Sequence, residues 1–189
     1  MDTPFRRKTG ETDISLTLSP GGGEIRIETP SAFLSHMLEQ LVHHAGWGID
    51  LKADGDTSID AHHLTEDTGI VLGQALLCLR EEKRIQRYGW SIIPMDGSLV
   101  LFSVDAGGRG GCFFEGCFPS PRCGDFDTEL VPEFFRALAR EGRMTLHIRL
   151  MAVDNSHHAA EAVFKAAGIA ISKAFEENER DSSTKGLWT

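Results

Sequence analysis

The amino-acid sequence predicts an α+β protein made of two fused copies of one β-β-α-β-α unit, each a mixed sheet of about four strands backed by two helices. Three observations predict it. Period-2 and helical apolar patterns follow one another in the same order in both halves of the chain. A shift of 95 positions superimposes His62 on His157, His63 on His158, Glu66 on Glu161, Gly73 on Gly168 and Ala75 on Ala170, as internal duplication requires. With 189 residues, 41% of them apolar and 25% charged, the chain can bury a real core. The units divide as residues 1–86 and 87–189, and together they form one compact domain.

In the first unit, "TDISLTL" and "GEIRIET" alternate apolar with polar residues around "SPGGG", which predicts a hairpin. Residues 31–45, "SAFLSHMLEQLVHHA", carry Phe33, Met37, Leu38, Leu41 and Val42 at helical spacing behind a serine cap. A strand, "WGIDLKA", follows. From about His62 to Arg80 the pattern is helical again, with Ile70, Val71, Leu72, Ala75, Leu76 and Leu79 on the apolar face. The second unit repeats the order, with strands at "WSIIPM", "SLVLFSVDA" and "GCFFEGC" and a helix at "TELVPEFFRALARE". A strand at "MTLHIRLM" and a helix from about His157 to Glu177 complete it.

A net charge of −9 excludes non-specific binding to nucleic acid or anionic membrane, since both need a basic surface. No apolar run approaches the roughly 18 residues of a membrane span. "MDTPFRRKTGETD" lacks the apolar core of a signal peptide, so a cytoplasmic protein is expected. Cys112, Cys117 and Cys123 cluster in "GCFFEGCFPSPRCGD" without a CxxC pair, and with Cys78 they are expected to be reduced thiols.

The chemistry lies in "HHLTE" (62–66) and "HHAAE" (157–161). At about 100° per residue, Glu66 projects between the directions of His62 and His63, so all three point to one side of a helix start. Neutral imidazole with carboxylate suits manganese, iron or zinc. A single such cluster could be capping and surface residues, but two at matching places in a repeat point to metal. Adjacent histidines diverge by about 100°, so one cluster cannot close all its ligands on one ion, and each is expected to serve two metals. His36 in "SHMLEQL" and His147 in "TLHIRL" are natural further ligands.

"FLSHMLEQLVHHAGWGIDLKADGDTSIDAHHLTEDTGIVLGQAL", "IIPMD", "TLHI", "NSHHAAEAVFKA" and "STKG" resemble, in order and over nearly the whole chain, the imidazoleglycerol-phosphate dehydratase family of histidine biosynthesis. The resemblance implies the ribosomal S5 domain 2-like fold and two manganese ions per active site. The implied ligands are His36, His62, His63, Glu66, His147, His157, His158 and Glu161. It also implies a homo-oligomer with sites shared between subunits, a 24-subunit assembly built from trimers. The implied reaction is dehydration of a phosphorylated imidazole, imidazole glycerol phosphate, to imidazole acetol phosphate. Ions on the two ring nitrogens would stabilise an imidazolate and then a diazafulvene, which explains the duplication.

Glu11 in "RKTGETDI" matches the family's acidic residue near the substrate hydroxyls, and Asp96 is a second candidate acid. The phosphate anchors map onto Arg87, Arg109, Lys165, Ser183 and Lys185. The chain departs from the family's usual "DHML", "PMDE" and "SGRP" at "SHML", "PMDG" and "GGRG", so Ser35 and Gly97 are expected to loosen support around the ligands. Two other readings use the same residues: a dinuclear metal-dependent phosphoesterase, and a non-catalytic metal-storage shell.

Overall fold

The computed structural model describes residues 4–82 and 84–178. The first half contains β1 (Phe5–Lys8), β2 (Thr12–Ser19), β3 (Ile25–Glu28), α1 (Ala32–Ala45), β4 (Gly48–Gly55) and α2 (His62–Glu82). The second contains β5 (Tyr88–Met95), β6 (Ser98–Asp105), β7 (Gly111–Glu115), a short ladder of β8 (Arg122–Cys123) with β9 (Phe126–Asp127), α3 (Leu130–Glu141), β10 (Thr145–Ala152) and α4 (Ser156–Ala174). The two four-stranded mixed sheets have the same topology, β1-β2-β4-β3 and β5-β6-β10-β7.

The duplicated α+β architecture is the expected one, with β1, β8 and β9 added and one pairing corrected. Of the added strands, β1 pairs antiparallel with β2. The expected hairpin between β2 and β3 does not form: β4 lies between them, antiparallel to β2 and parallel to β3. The "GGG" link is the physical reason. Gly21, Gly22 and Gly23 all take positive φ (99°, 109° and 142°), and a Cβ on Gly48 would sit 2.8 Å from Gly23 Cα. Three glycines thus let the chain cross the end of β4 instead of turning back beside β2.

Inward side chains alternate along the central strands: Ile14, Leu16 and Leu18 on β2, Ile49, Leu51 and Ala53 on β4, and Val100, Phe102 and Val104 on β6 are buried. The four helices lie between these two inner faces, and they pack across the duplication. α1 rests on α4, and α2 on α3, so each helix pair contains one member from each half. α1 starts where Ser31 accepts the Leu34 N–H and the Asp125 carboxylate accepts the N–H groups of Ala32 and Phe33, so a second-half residue caps a first-half helix.

Matched glycines permit the close crossings. A Cβ on Gly73 would lie 2.8 Å from the Leu138 carbonyl oxygen, and one on Gly168 would lie inside the Leu41 carbonyl. Gly168→Val is therefore expected to force α1 and α4 apart and cost about 3 kcal/mol or more, measured as a lower denaturant midpoint. An unchanged midpoint would show that the crossing has slack.

The outer faces of the sheets differ. On the first, Arg6, Ser15, Lys52 and Glu28 form a row across four strands. On the second, the row is Trp90, Ser103, His147 and Phe113, with Trp90 65% and Phe113 55% exposed. Ile92 and Met151 extend this apolar surface.

Candidate active site

Both "HHxxE" segments open a helix, and each helix follows a long central strand of its sheet, so the two clusters occupy equivalent positions. On α4, Asn155 caps the start by accepting the His158 N–H. On α2, Asp60 accepts the His62 N–H.

The α4 cluster draws in a residue from the other half. His36, His157 and Glu161 each offer one ligand atom, and these atoms lie within 4.8 Å of one another. Glu161 Oε2 faces both rings, 3.3 Å from His157 Nε2 and 3.7 Å from His36 Nε2. The other oxygen, Oε1, accepts from Lys165 Nζ at 2.8 Å. Glu161 is only 7% exposed. That burial works to raise its pKa, but the Lys165 hydrogen bond and charge, helped by both imidazoles, hold it below the ordinary value. A carboxylate pinned on one oxygen and presented between two imidazoles is a donor set that fits manganese, iron or zinc. Lys165, expected as a phosphate anchor, is placed one helical turn from Glu161 and pairs with it, a positioning role the spacing alone did not reveal.

His158 turns away from that group. Its Nδ1 lies 3.0 Å from Asp154 Oδ2 and 3.6 Å from Asp96 Oδ2. Its α2 counterpart His63 also faces two carboxylates, but on different nitrogens: Nδ1 lies 3.1 Å from Asp56 Oδ2, and Nε2 lies 3.7 Å from Glu11 Oε2. The Asp56 hydrogen bond outweighs desolvation and raises the His63 pKa. Both candidate acids therefore stand at the tip of a strand-connecting turn, beside the second histidine of a pair. Glu66 pairs with Arg140 of α3 at 3.1 Å, and His62 meets His63 edge to face, with ring centroids 6.0 Å apart.

His147 is on the exposed outer face of the second sheet, stacked on Phe113 at 4.7 Å between centroids. Arg87 and Arg109 lie at the other end of that sheet. Arg87 Nε donates to Asp105 at 2.6 Å, a bond that raises the guanidinium pKa, and Arg109 is exposed in the following loop. Ser183 and Lys185 fall outside the described residues.

The family model of imidazoleglycerol-phosphate dehydratase matches residues 29–171, the span that carries both helix-start clusters, His36 and His147. The chain belongs to the imidazoleglycerol-phosphate dehydratase family. The dehydratase of Pelotomaculum thermopropionicum is 46% identical over 170 residues, covering 89% of this chain and 87% of that protein. The Acetivibrio thermocellus dehydratase is 45% identical over 194 residues, covering 99% and 100%. Crystal structures agree. The dehydratase from Staphylococcus aureus superposes with a TM-score of 0.83 at 38% identity, over 93% of this chain and 99% of that one. The one from Pyrococcus furiosus superposes at 0.85 and 38%, over 96% and 99%.

Two of the departures from the dehydratase pattern sit beside candidate ligands, Ser35 next to His36 and Gly97 against Asp154, which faces His158. Ser35 shares a hydrogen bond with the Thr29 hydroxyl at 2.9 Å. Gly97 follows Asp96, whose φ of 46° makes the β5–β6 turn, and its N–H donates to Asp154 Oδ2 at 3.3 Å. A Cβ on Gly97 would approach the Asp154 Cβ to 2.8 Å, so glycine allows this turn to close on Asp154.

Proposed function

We propose that this chain removes water from imidazole glycerol phosphate to give imidazole acetol phosphate, a step of histidine biosynthesis, using two manganese ions per active site. The observation that carries the reading is the convergence of His36, His157 and Glu161 in a member of the dehydratase family. These three residues would hold one ion. His62, His63, Glu66, His147 and His158 are the remaining ligand candidates. When bound, the ions would supply Lewis-acid stabilisation of charge on the imidazole ring, easing loss of the hydroxyl from the carbon beside the ring and of the proton from the next carbon.

The protein's own groups do the rest. Lys165 holds Glu161 so that Oε2 stays free to ligate. Glu11, with its side chain 56% exposed, is an acceptor for the departing proton, and the hydroxyl that leaves with it completes the water. Glu11→Gln keeps the shape but cannot accept a proton, so kcat is expected to fall by about 10²-fold with metal content unchanged. Near-normal kcat at full metal would remove Glu11 from the chemistry.

One copy of the chain does not bring Arg87 to the ligand candidates around His158. Arg87 is tied to Asp105 at one end of β6, while Asp154, beside His158, is tied to Ser98 at the other. Eight residues of strand put these points roughly 23 Å apart. The imidazole and phosphate of the substrate are separated by three carbons, which supports a site where the Arg87 anchor and these ligands come from different subunits. The exposed Trp90–Phe113 row, with His147 inside it, is a surface for such a partner. A homo-oligomer with shared sites, a 24-mer built from trimers, is the assembly we infer. No described helix is long and apolar enough to cross a membrane, in keeping with a cytoplasmic setting.

The test is metal analysis of the purified protein with a dehydration assay on imidazole glycerol phosphate. Product formation that depends on manganese supports the reading. Hydrolysis of the phosphate ester instead would favour a dinuclear phosphoesterase.

A further inference from the structure

The second histidine of each pair carries a carboxylate on its inner nitrogen. Asp154 Oδ2 is 3.0 Å from His158 Nδ1, and both oxygens of Asp56 are within 3.2 Å of His63 Nδ1. The two aspartates come from different loops and different spacings, four residues before His158 and seven before His63, yet they reach the same ring atom.

We propose that Asp154 and Asp56 are positioning residues that hold the proton of His158 and His63 on Nδ1, leaving each Nε2 lone pair free for a metal ion. The inference rests on the metal-dependent reading of the site. A neutral imidazole carries one N–H, and a carboxylate accepts but cannot donate, so it stabilises the tautomer with hydrogen on the nitrogen it faces.

At His158 the choice is contested. The amide Nδ2 of Asn155 lies 2.7 Å from the same Nδ1, while its Oδ1 accepts the His158 backbone N–H, which fixes the amide orientation. An amide donor favours the opposite tautomer, with hydrogen on Nε2 and no lone pair for metal. The charged acceptor wins, because hydrogen bonds to an ionised partner are roughly twice as strong as neutral ones.

The surroundings of Asp154 keep it ionised and aimed. Oδ1 accepts from Ser98 Oγ at 2.5 Å and from the Asn155 N–H at 2.7 Å, and Oδ2 accepts from the Gly97 N–H at 3.3 Å. The other charged group facing His158 is Asp96, at 3.6 Å. At His63 no amide competes among the described residues, and Glu11 stands beyond Nε2, at 3.7 Å, on the side where metal would bind.

Asp154→Asn reverses the balance. Its amide oxygen is drawn to the two donors at the Oδ1 position, which turns the NH2 toward His158, and two amides then donate to Nδ1. The ring is forced to carry its hydrogen on Nε2. Asp56→Asn removes the charged acceptor at His63, and the neutral amide that replaces it can face Nδ1 with either atom and no longer fixes the tautomer.

The experiment is a titration of the metal-stripped, full-length protein with chelator-buffered manganese, read by elemental analysis, with the melting temperature of the metal-free forms as a folding check. Both variants are expected to need tenfold or more free manganese for half-occupancy, with metal-free melting close to that of the parent protein. Half-occupancy within about twofold of the parent in both variants overturns the inference and leaves the dehydratase reading intact. Failure of the parent protein itself to take up manganese overturns both. If Asp154→Asn does not fold, Asp56→Asn decides alone.

Discussion

Glu161→Gln is expected to lower kcat by about 10³-fold or more, because a ligand that supplies both a donor atom and a negative charge is worth several kcal/mol at a Lewis-acid centre. The glutamine keeps the shape of the side chain, and α4 is held by its apolar face, so the protein should still fold. Metal content should drop by about half, since the His36, His157 and Glu161 group would be lost while the other ligands remain. Lys165 would then face a neutral amide, and no lysine repositioning can restore the missing charge. Elemental analysis alongside a dehydration assay checks this. Turnover like that of the parent enzyme at full metal content would take Glu161 out of the site.

Removing the metal is expected to have the second large effect, on assembly. If ligands and anchors come from different subunits, the ions are part of the interface, and their binding stabilises the assembled form by mass action. Light scattering should then report a large particle with manganese and a small one, a trimer, after chelation. Acid should act like the chelator. Histidine must be neutral to ligate, with a reference pKa of about 6.5, so metal is lost as the pH falls below about 6. Glu161 does not set this limit, because its pKa is held below the ordinary carboxylate value and it stays ionised throughout that window. A metal-free protein that kept its full mass near pH 7.5 and near pH 5.5 would show that the shell is held together without shared ligands.

The helices were legible in the sequence because their burial is periodic, and the duplication because the ligands repeat at one offset. β1 was not: "FRRK" buries no residue fully, so no apolar alternation marks it. The "SPGGG" segment carries the composition of a tight turn, and only the neighbouring strand decides whether the chain turns or crosses. The site was legible as a list of ligand types but not as a grouping. His36 stands closer in sequence to His62 than to His157, yet it joins His157, because α1 packs on α4. Asp56 and Asp154 could have been noticed as acidic residues shortly before each "HHxxE", but their contact with Nδ1 depends on loop paths that spacing does not encode. Lys165 was visible as a cation one turn beyond Glu161, and its tie to the buried Oε1 was not.

The crossed pairing of helices has a consequence in time. As the chain is synthesised, the first half is complete before α3 and α4 exist, so the surfaces of α1 and α2 that face them must wait, with Leu41 and Gly73 exposed to solvent or to chaperones. Contacts between such distant parts of the chain close late and slowly, since the entropy of the long intervening loop is lost before they form. His36 and Glu161 are among the most widely separated partners in the molecule, so ligand convergence comes at the end of folding. A nascent or half-made chain therefore has no preformed His36–His157–Glu161 group, which exists only in a finished subunit.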